Sequence, residues 1–222
     1  MQVFFLGFKL HILYSFRRCP YAMRARVAIA YCLPEQNFEL REVVLKDKPA
    51  ALLSISPKAT VPVVQLESGE VIEESLDIML FALSQNNELE KALLPQALKA
   101  NILKLIEMND GDFKWALDRY KYSDRYDQSQ SYYREKGELF LSQLNAQLKN
   151  HQYLMGEEMT LADLAIFPFI RQFAHVDKKW FEASEYSALI KWLDDWLNSD
   201  LFKTIMTKYP QWREGDEPTY FP

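Results

Sequence analysis

The chain has 222 residues and a net charge of −5, and 49% of its residues are apolar and 14% aromatic. This composition provides a real hydrophobic core and excludes a disordered chain. The negative charge disfavours nucleic acid as the main partner, because phosphate binding needs a basic face. No apolar run approaches the ~20 residues that a membrane span requires.

The first 84 residues alternate between strand and helix patterns. Residues 1–10 are apolar, with no basic residue before Lys9 and no small-residue cleavage site, so we interpret them as an N-terminal extension and not as a secretory signal. A strand-helix-strand unit follows, which predicts a parallel, right-handed crossover. The turn ESGE then joins two antiparallel strands. Predicted strands cover residues 11–16, 37–45, 60–66 and 70–74, and predicted helices cover 20–32, 48–56 and 75–84.

The rest of the chain shows helical patterns and no convincing strand. Residues 85–96 read as a linker, and Gly111 is predicted to interrupt the first helix beyond it. The fold class is therefore a small α/β domain over residues 1–84 followed by an all-helical domain over residues 97–222. Predicted helices in that domain cover residues 97–122, 128–150, 161–176, 184–198 and 201–209.

One helix start can be placed from its capping residues. Thr160 stands three residues before Asp163, the spacing of a capping box in which Asp replaces the usual Glu. We interpret this pair as a folding signal and assign it no chemistry.

Cys19 lies where a strand pattern becomes a helix pattern. A cysteine there faces the unsatisfied N–H groups of the helix, whose macrodipole favours thiolate over thiol. Arg17 and Arg18 add positive charge nearby, and such surroundings lower a thiol pKa from about 8.5 towards neutrality. A thiolate is the nucleophile of disulfide exchange. The alternative is a small buried hydrophobe, which is how most cysteines outside disulfides behave.

Cys32, the other cysteine, falls at the far end of the same predicted helix within an apolar run. The dipole disfavours a thiolate there, so we interpret Cys32 as structural. A helix of that length separates the two cysteines by roughly 20 Å. They are therefore not expected to form a disulfide, which fits a reducing compartment.

Two further stretches have the composition of a binding site. Val61-Pro62 precedes a strand, and we predict a cis bond there that exposes the Val61 backbone to an added, strand-like peptide. Ser75 is a good N-cap at a helix start that suits a carboxylate, and Glu74 beside it suits an ammonium group. The alternatives are an ordinary trans proline and a simple helix cap.

These motifs together resemble the glutathione S-transferase family over nearly the whole chain. The resemblance rests on the Cys-Pro-Tyr-Ala start of the first helix, the TVPVV strand, the Glu-Ser pair, the linker and the segment TLADLAIFPF. It implies a thioredoxin-like N-terminal domain, a helical C-terminal domain, glutathione as co-substrate, a homodimer and a cytoplasmic location. A cysteine followed by proline is similar to the omega class, dehydroascorbate reductases and glutaredoxins, in which the cysteine forms a mixed disulfide with glutathione.

The resemblance implies a role for each matching residue. Cys19 is the expected nucleophile, and a second glutathione must resolve the mixed disulfide because no second cysteine follows two residues on. The segment SPKATVP departs from the omega pattern, which has Asn-Pro and a glycine. The residues expected to bind glutathione are Lys48 at the glycyl carboxylate, Val61 and cis Pro62 at the cysteinyl part, and Glu74 and Ser75 at the γ-glutamyl head.

The second substrate is expected to use the first long helix of the helical domain. Phe113, Leu117 and Tyr120 form one face, which is predicted to be core. The other face combines aromatic and cationic groups that suit a planar or anionic acceptor, although a solvated surface explains it equally well. The candidate acceptor residues are Tyr21, Trp115, Arg119 and Tyr122.

Three functions follow as hypotheses. The first is a glutathione-dependent thiol transferase or reductase, acting on a small electrophilic or oxidised acceptor. The second is conjugation of glutathione to electrophiles. The third is a non-enzymatic, membrane-associating protein similar to chloride intracellular channel proteins, which Arg24 and Arg26 in the first helix disfavour. The histidines have no ligand-like spacing, so no metal is expected.

Overall fold

The structure is a computed structural model that describes residues 10–222. The chain divides into two compact units. Of the described residues, 10–85 and 204–222 form the first unit, and 86–203 form the second. The predicted N-terminal extension lies outside the described residues except for Leu10.

The first unit is built on a mixed sheet of five short strands. They are β1 (His11–Ser15), β2 (Phe38–Glu42), β3 (Val63–Gln65), β4 (Val71–Ile72) and β5 (Tyr220–Phe221). Their order in the sheet is β4-β3-β1-β2-β5. β1 lies at the centre, parallel to β2 and antiparallel to β3, and the outer strands β4 and β5 are both antiparallel to their neighbours. The predicted parallel first pair and antiparallel last pair are therefore confirmed.

Three helices connect these strands: α1 (Pro20–Cys32), α2 (Ala50–Ile55) and α3 (Ser75–Ser84). α1 and α3 pack against each other. α1 begins with Pro20, whose missing N–H has no partner to lose in the first turn. The strand and helix order matches the predicted β-α-β-α-β-β-α arrangement, and the thioredoxin-like fold class is confirmed.

β2 shows how side chains alternate between core and surroundings. Phe38 and Leu40 are buried, whereas Glu39 and Arg41 between them are partly exposed. Glu42 falls on the same face as Phe38 and Leu40, because side chains two residues apart share a face. The alternation therefore carries a carboxylate towards the interior of the unit.

In the second unit, residues 86–203, the described regular elements are all helices, joined by turns and loops. Its elements are α4 (Asn87–Leu93), α5 (Lys99–Met108), α6 (Lys114–Lys121), α7 (Gln130–Leu148), α8 (Leu161–Ala174), α9 (Lys178–Glu182), α10 (Ser187–Asn198) and the start of α11 (Asp200–Ile205). A π-helical turn, Asn109–Phe113, separates α5 from α6 and contains Gly111. The predicted interruption at Gly111 is therefore confirmed, and the helical fold class of this unit is as predicted.

The described structure differs from the predicted segments in several places; α9, for example, was not predicted, and the helix predicted over 201–209 ends at Ile205. The segment predicted as a linker, 85–96, contains α4, which Asn86 caps by accepting a hydrogen bond from the Leu89 N–H at 3.1 Å. The helix predicted over 184–198 begins only at Ser187. The tail from Thr204 belongs to the first unit, although its residues were placed in the helical domain. A two-residue strand that pairs with a distant segment leaves no periodic pattern in the sequence.

Close packing in the helical unit depends on one glycine. An added Cβ at Gly137 on α7 would lie 2.4 Å from a ring carbon of Phe173 on α8. Phe173 is buried among other rings, so it has little room to move. The absence of a side chain at Gly137 is thus a packing requirement of the α7–α8 contact.

Asp163 is the polar centre of the helical unit. Its carboxylate is fully buried and accepts four hydrogen bonds, with Oδ1 receiving the Leu154 N–H at 2.9 Å and the Trp192 Nε1–H at 3.2 Å. Oδ2 receives the N–H of Thr160 at 2.9 Å and its hydroxyl at 3.1 Å. The Thr160 N–H bond confirms the predicted capping box, and the other donors extend it to a loop and to α10.

We predict that Asp163→Asn destabilises the protein although it preserves the side-chain shape. An amide presents one NH2 group, so two of the four donors would face another donor, and each buried unsatisfied group costs about 1–3 kcal/mol. Urea unfolding should show a lower midpoint. Asp195→Asn serves as control, because Asp195 forms an exposed pair with Lys191 that contributes little. An unchanged midpoint for Asp163→Asn would contradict this role.

Candidate functional site

The helix that follows β1 places Cys19 at its N-terminus. Cys19 is the N-cap residue of α1, with extended backbone angles of φ −76° and ψ 125°. Its N–H donates to the Phe16 carbonyl at 3.0 Å, which closes a turn after β1, and its own carbonyl accepts the first helical bond, from Met23, at 2.8 Å. The first turn of α1 contains no acidic residue. Cys19 therefore stands where a helix N-terminus favours negative charge.

Cys19 and Val61 lie close together. Cys19 Sγ is 3.7 Å from the Val61 carbonyl oxygen, and both residues pack on one apolar cluster that includes Tyr14 and Leu52. The Val61–Pro62 peptide bond is cis, as predicted. The pairing of β3 with β1 begins only at Val63, so Val61 lies beyond the last paired residue of the ladder.

Glu74 and Ser75 stand at the start of α3, but their parts differ from the prediction. Glu74, and not Ser75, is the N-cap residue, and it makes no capping bond with its side chain. Ser75 is the first helical residue and is buried, and its Oγ accepts a hydrogen bond from Arg24 Nε of α1 at 2.9 Å. The Arg24 guanidinium also lies 5.1 Å from the ring centre of Tyr21. Arg24 thus links the start of α3 to the helix that Cys19 opens.

The exposed Glu74 carboxylate already has a cationic partner. Glu74 Oε1 lies 3.0 Å from Lys58 Nζ, and the adjacent Glu73 accepts a 2.6 Å hydrogen bond from Ser56 Oγ. The Lys58 pKa is raised, chiefly by its hydrogen bond to Glu74. These contacts tie the segment before Val61 to the start of α3. In the same segment Ala59 has a φ of +50°, a conformation that glycine adopts at lower cost.

Lys48 lines a separate cavity that the sequence did not predict. The cavity measures about 270 Å³ and is lined by residues 47–51, between β2 and α2, and by residues 211–214 of the tail. Gln211 Nε2 donates to Asp47 Oδ2 at 2.8 Å, which holds the tail against this wall. The lining contains two basic residues, Lys48 and Arg213, and two acidic residues, Asp47 and Glu214.

The tail is anchored to β2 along its length. The Trp212 N–H donates to the Glu42 carbonyl at 2.9 Å, and the Leu40 N–H donates to the Thr219 carbonyl at 2.7 Å. The Arg41 guanidinium lies 4.2 Å from the centre of the Trp212 ring. β2 consequently has a neighbour on both sides, and the tail forms one wall of the Lys48 cavity.

The cations around Cys19 are not arranged as the sequence suggested. Arg18 is exposed and lies over the Phe16 ring at 5.4 Å, while the Arg17 backbone binds two buried side chains. These are Arg26 of α1 and Glu42 of β2. Burial lowers the pKa of Arg26 to about 10, and Cys19 is among the groups whose charge opposes this shift, so Arg26 is a buried cation that interacts with the cysteine.

Sequence reasoning missed several residues of this region. Two of them interrupt an apolar pattern and could have been identified from the sequence. Glu42 breaks the apolar alternation of β2 on its buried face, and Arg26 lies among apolar residues of α1. Arg24, Lys58 and the tail each contact a chain segment far away in sequence. No local sequence pattern reveals such contacts.

The candidate acceptor residues of the helical unit form an aromatic and cationic surface. The Arg119 guanidinium lies 4.3 Å from the Trp115 ring centre and 4.6 Å from that of Tyr126. Arg125 stacks on Tyr122 at 4.5 Å. Trp115 is 43% exposed, in contrast to the opposite face of Phe113, Leu117 and Tyr120, which is buried as predicted.

Metal-binding groups and membrane-spanning helices are two further features to consider in the described part of the chain. Residues 10–222 contain no group of three or more His, Cys, Asp or Glu side chains placed to hold a metal ion. Within the same range, no helix combines the length and the apolar character needed to cross a bilayer.

Family models match most of the chain. The family model for the glutathione S-transferase N-terminal domain matches residues 13–90, and the model for the glutathione S-transferase C-terminal domain matches residues 108–200. No protein of curated function matches the chain by sequence.

Solved structures share the fold at low sequence identity. A glutathione transferase family member from Pseudomonas fluorescens, solved with two glutathione molecules bound, has a TM-score of 0.77 at 16% identity, with 90% of this chain and 94% of that chain covered. A glutathione S-transferase from Rhodospirillum rubrum has a TM-score of 0.74 at 18% identity, covering 95% and 96%. The bacterial glutathione S-transferase BphK, in a ternary complex, has a TM-score of 0.76 at 19% identity, covering 88% and 97%.

We predict that iodoacetamide distinguishes the two cysteines. Burial raises the pKa of Cys32 to about 11, so its thiol stays protonated and unreactive at neutral pH. Cys19 is partly exposed at a helix N-terminus and should be alkylated first. Peptide mass spectrometry after short labelling at pH 7 measures both rates, with Cys32→Ala as the control. Faster labelling of Cys32 than of Cys19 in the native protein would contradict this assignment.

Proposed function

Because the chain belongs to the glutathione S-transferase family, we propose that it is a glutathione-dependent thiol transferase whose nucleophile is Cys19. The observation that carries this proposal is the position of Cys19 Sγ at the N-terminus of α1, 3.7 Å from the Val61 carbonyl. A hydroxyl at this place would only hydrogen-bond a glutathione sulfur, whereas a thiolate can attack that sulfur in a glutathione mixed disulfide, displace the other thiolate and form a new disulfide.

We propose that glutathione lies along the backbone before β3. Val61 is outside the strand ladder, so its backbone is placed to pair with the cysteinyl part of the tripeptide, as an added strand would. This arrangement brings the glutathione sulfur to the residue that contacts Cys19 Sγ. Glutathione as the co-substrate is supported by the related fold from Pseudomonas fluorescens that holds two glutathione molecules.

The γ-glutamyl head would bind at the start of α3. Its carboxylate meets the first N–H groups of the helix, which lack intrahelical partners. The Ser75 hydroxyl accepts from Arg24, and its proton remains to donate to a carboxylate. The ammonium group would bind Glu74 and displace Lys58 from it.

The glycyl carboxylate would bind at the cavity of Lys48. Lys48 and Arg213 would bind the carboxylate there, beside the acidic residues Asp47 and Glu214 that line the same cavity. Ala51 lines this cavity and also packs on the apolar cluster that Cys19 contacts. The cavity and Cys19 therefore share a common wall.

The proposed reaction has two balanced steps. The Cys19 thiolate attacks the glutathione sulfur of a glutathionylated acceptor, forms the mixed disulfide and releases the acceptor as a thiolate that takes up a proton. The thiolate of a second glutathione then attacks the mixed disulfide, releases glutathione disulfide and regenerates the Cys19 thiolate. The N-terminus of α1 stabilises the thiolate at the beginning and at the end of this cycle.

The acceptor would contact the aromatic and cationic residues of the helical unit. Trp115 provides exposed ring surface, and Arg119 and Tyr122 provide partly exposed guanidinium and ring surface, for a planar or anionic group. Tyr21, next to Pro20 in α1, is the proposed acceptor residue of the first unit. Mixed disulfides of glutathione present anionic carboxylates, and quinones present a planar ring.

We predict opposite effects for the two members of the Glu74–Lys58 pair. Glu74→Ala removes the carboxylate for the ligand ammonium and should weaken glutathione binding about tenfold. Lys58→Ala removes the competing cation and should leave the affinity unchanged or increase it. Isothermal calorimetry with glutathione measures both. Equal affinities for Glu74→Ala and the parent, or a loss with Lys58→Ala, would remove Glu74 from the site.

We predict that Cys19→Ser abolishes thiol transfer and keeps glutathione binding. A serine hydroxyl cannot form the mixed disulfide, but it preserves the shape of the site. Transfer is measured with a glutathionylated peptide and binding by calorimetry, and whole-protein mass spectrometry should find glutathione on Cys19 in the parent only. Full transfer activity in Cys19→Ser would refute the cysteine mechanism and favour conjugation of glutathione to electrophiles.

A further inference from the structure

A buried ion pair lies beneath the β1–α1 loop, residues 16–19, which ends at Cys19. Arg26 of α1 is fully buried, and Glu42, the last residue of β2, is 9% exposed. Arg26 Nη1 lies 3.6 Å from Glu42 Oε2. Two charged side chains from different elements therefore meet inside the first unit.

Both partners of this pair hold the same residue of the loop. Arg26 Nη2 donates to the Arg17 carbonyl at 2.8 Å, and the Arg17 N–H donates to Glu42 Oε1 at 2.7 Å. The N–H of Arg17 is thus bound by a negative side chain and its carbonyl by a positive one, and both side chains are buried. Charge-assisted bonds of this kind are about twice as strong as neutral ones.

Stability alone gives a poor account of the pair. Arg26 Nε and Nη1 and Glu42 Oε2 are buried without a hydrogen-bond partner, as is Ser15 Oγ at the end of β1. Burial lowers the pKa of Arg26 to about 10 and raises that of Glu42, although the Arg17 N–H and the Arg26 charge act in the opposite direction on Glu42. Apolar residues at such positions often give equal or greater stability.

The two complete hydrogen bonds of the pair therefore indicate its role. They fix Arg17, which is followed after one residue by Cys19, and the turn is closed by the Cys19 N–H bond to the Phe16 carbonyl at 3.0 Å. Hydrogen bonds therefore hold Phe16, Arg17 and Cys19 of this loop, and Cys19 also begins α1. These contacts keep Cys19 in place beside Val61.

We propose that Arg26 and Glu42 are positioning residues, which hold the β1–α1 loop so that Cys19 Sγ stays at the helix N-terminus in reach of the glutathione sulfur. The proposal rests on the proposed function of Cys19 as the nucleophile. Neither side chain needs to touch the substrate. They act through the backbone of Arg17.

Arg26 interacts electrostatically with Cys19, and the opposite signs of the two charges in the pair provide a separate readout. The charged and titratable groups that influence Arg26 are Glu42 of β2, Tyr209 of the tail, Arg17 of the loop and Cys19 itself. Loss of the Arg26 charge should raise the Cys19 pKa, and loss of the Glu42 charge should lower it. Loss of positioning slows transfer in both cases.

The test compares Arg26→Lys, Arg26→Met and Glu42→Gln with the parent and with Ile29→Val. Ile29 is buried in the same helix, and Ile29→Val weakens its packing without contact to Arg17. Thermal unfolding by circular dichroism reports stability. The kcat and the KM for glutathione are measured with a glutathionylated peptide, and the pH dependence of Cys19 alkylation is measured without glutathione.

We expect kcat to fall about tenfold or more in Arg26→Met and Glu42→Gln, with the KM for glutathione within about twofold of the parent, because a small misplacement of a nucleophile has a large effect on rate. The Cys19 pKa should move in opposite directions in these two variants, and Arg26→Lys should recover part of kcat. Ile29→Val should lose stability and keep kcat.

The proposal is overturned if the folded pair variants keep the kcat of the parent. It is also overturned if their kcat falls no further than that of Ile29→Val when the loss of stability is equal. Glu42→Gln decides alone if the Arg26 variants do not fold, because it keeps the side-chain shape. Alkylation reports the Cys19 pKa in each variant and does not require transfer activity. If the cysteine mechanism itself is wrong, Cys19→Ser keeps full activity, and this result is separate from the results for the pair variants.

Discussion

The hydrogen-bonded register of β1 is the constraint on which the candidate site depends. As the central strand, β1 pairs Tyr14 with Val63 on one side and Ser15 with Glu42 on the other. The end of β1 therefore fixes the position of two groups on either side of it: the chain just before β3 and the last residue of β2. Cys19 follows after a single turn, so its contact with Val61 results from strand pairing more than from any attraction between the two residues. A one-residue shift of either neighbour would move every one of these groups to the wrong face.

Polar groups inside the first unit have a cost that the apolar core must offset. Arg24 reduces its cost by binding Ser75, whereas Arg26 and Glu42 leave several buried atoms without partners. Sequences generally avoid such incomplete networks, because each unsatisfied group opposes folding. These atoms of Arg26 and Glu42 lie beneath the loop of Cys19, and this position links them to the chemistry of the site. The helical unit shows the contrast, since Asp163 is equally buried but has four donors.

Much of this architecture could be predicted from the sequence, because it depends on local patterns. The helix Pro20–Cys32 and the helix Ser75–Ser84 were predicted with their observed bounds, since a proline at the first position and an apolar period define them. The cis bond at Val61–Pro62 and the capping box of Asp163 also follow from short motifs. What was missed is non-local: β5, the cavity wall formed by the tail, and the partners of Lys58 and Arg24. A single sequence contains no record of which distant segments meet.

The misplaced cap shows where local reasoning reaches its limit. A serine before an apolar helix predicts an N-cap, yet Ser75 is the first residue inside the helix, where its hydroxyl accepts a hydrogen bond from Arg24 of α1. Strand alternation places Glu42 on the apolar face of β2, where it meets Arg26 of α1. In both cases a charged residue of α1 contacts a polar side chain of another element. Local rules fail where polar contacts between distant segments outweigh local preference, and such sites are the places to look for function. In this chain they surround the start of the helix that Cys19 caps.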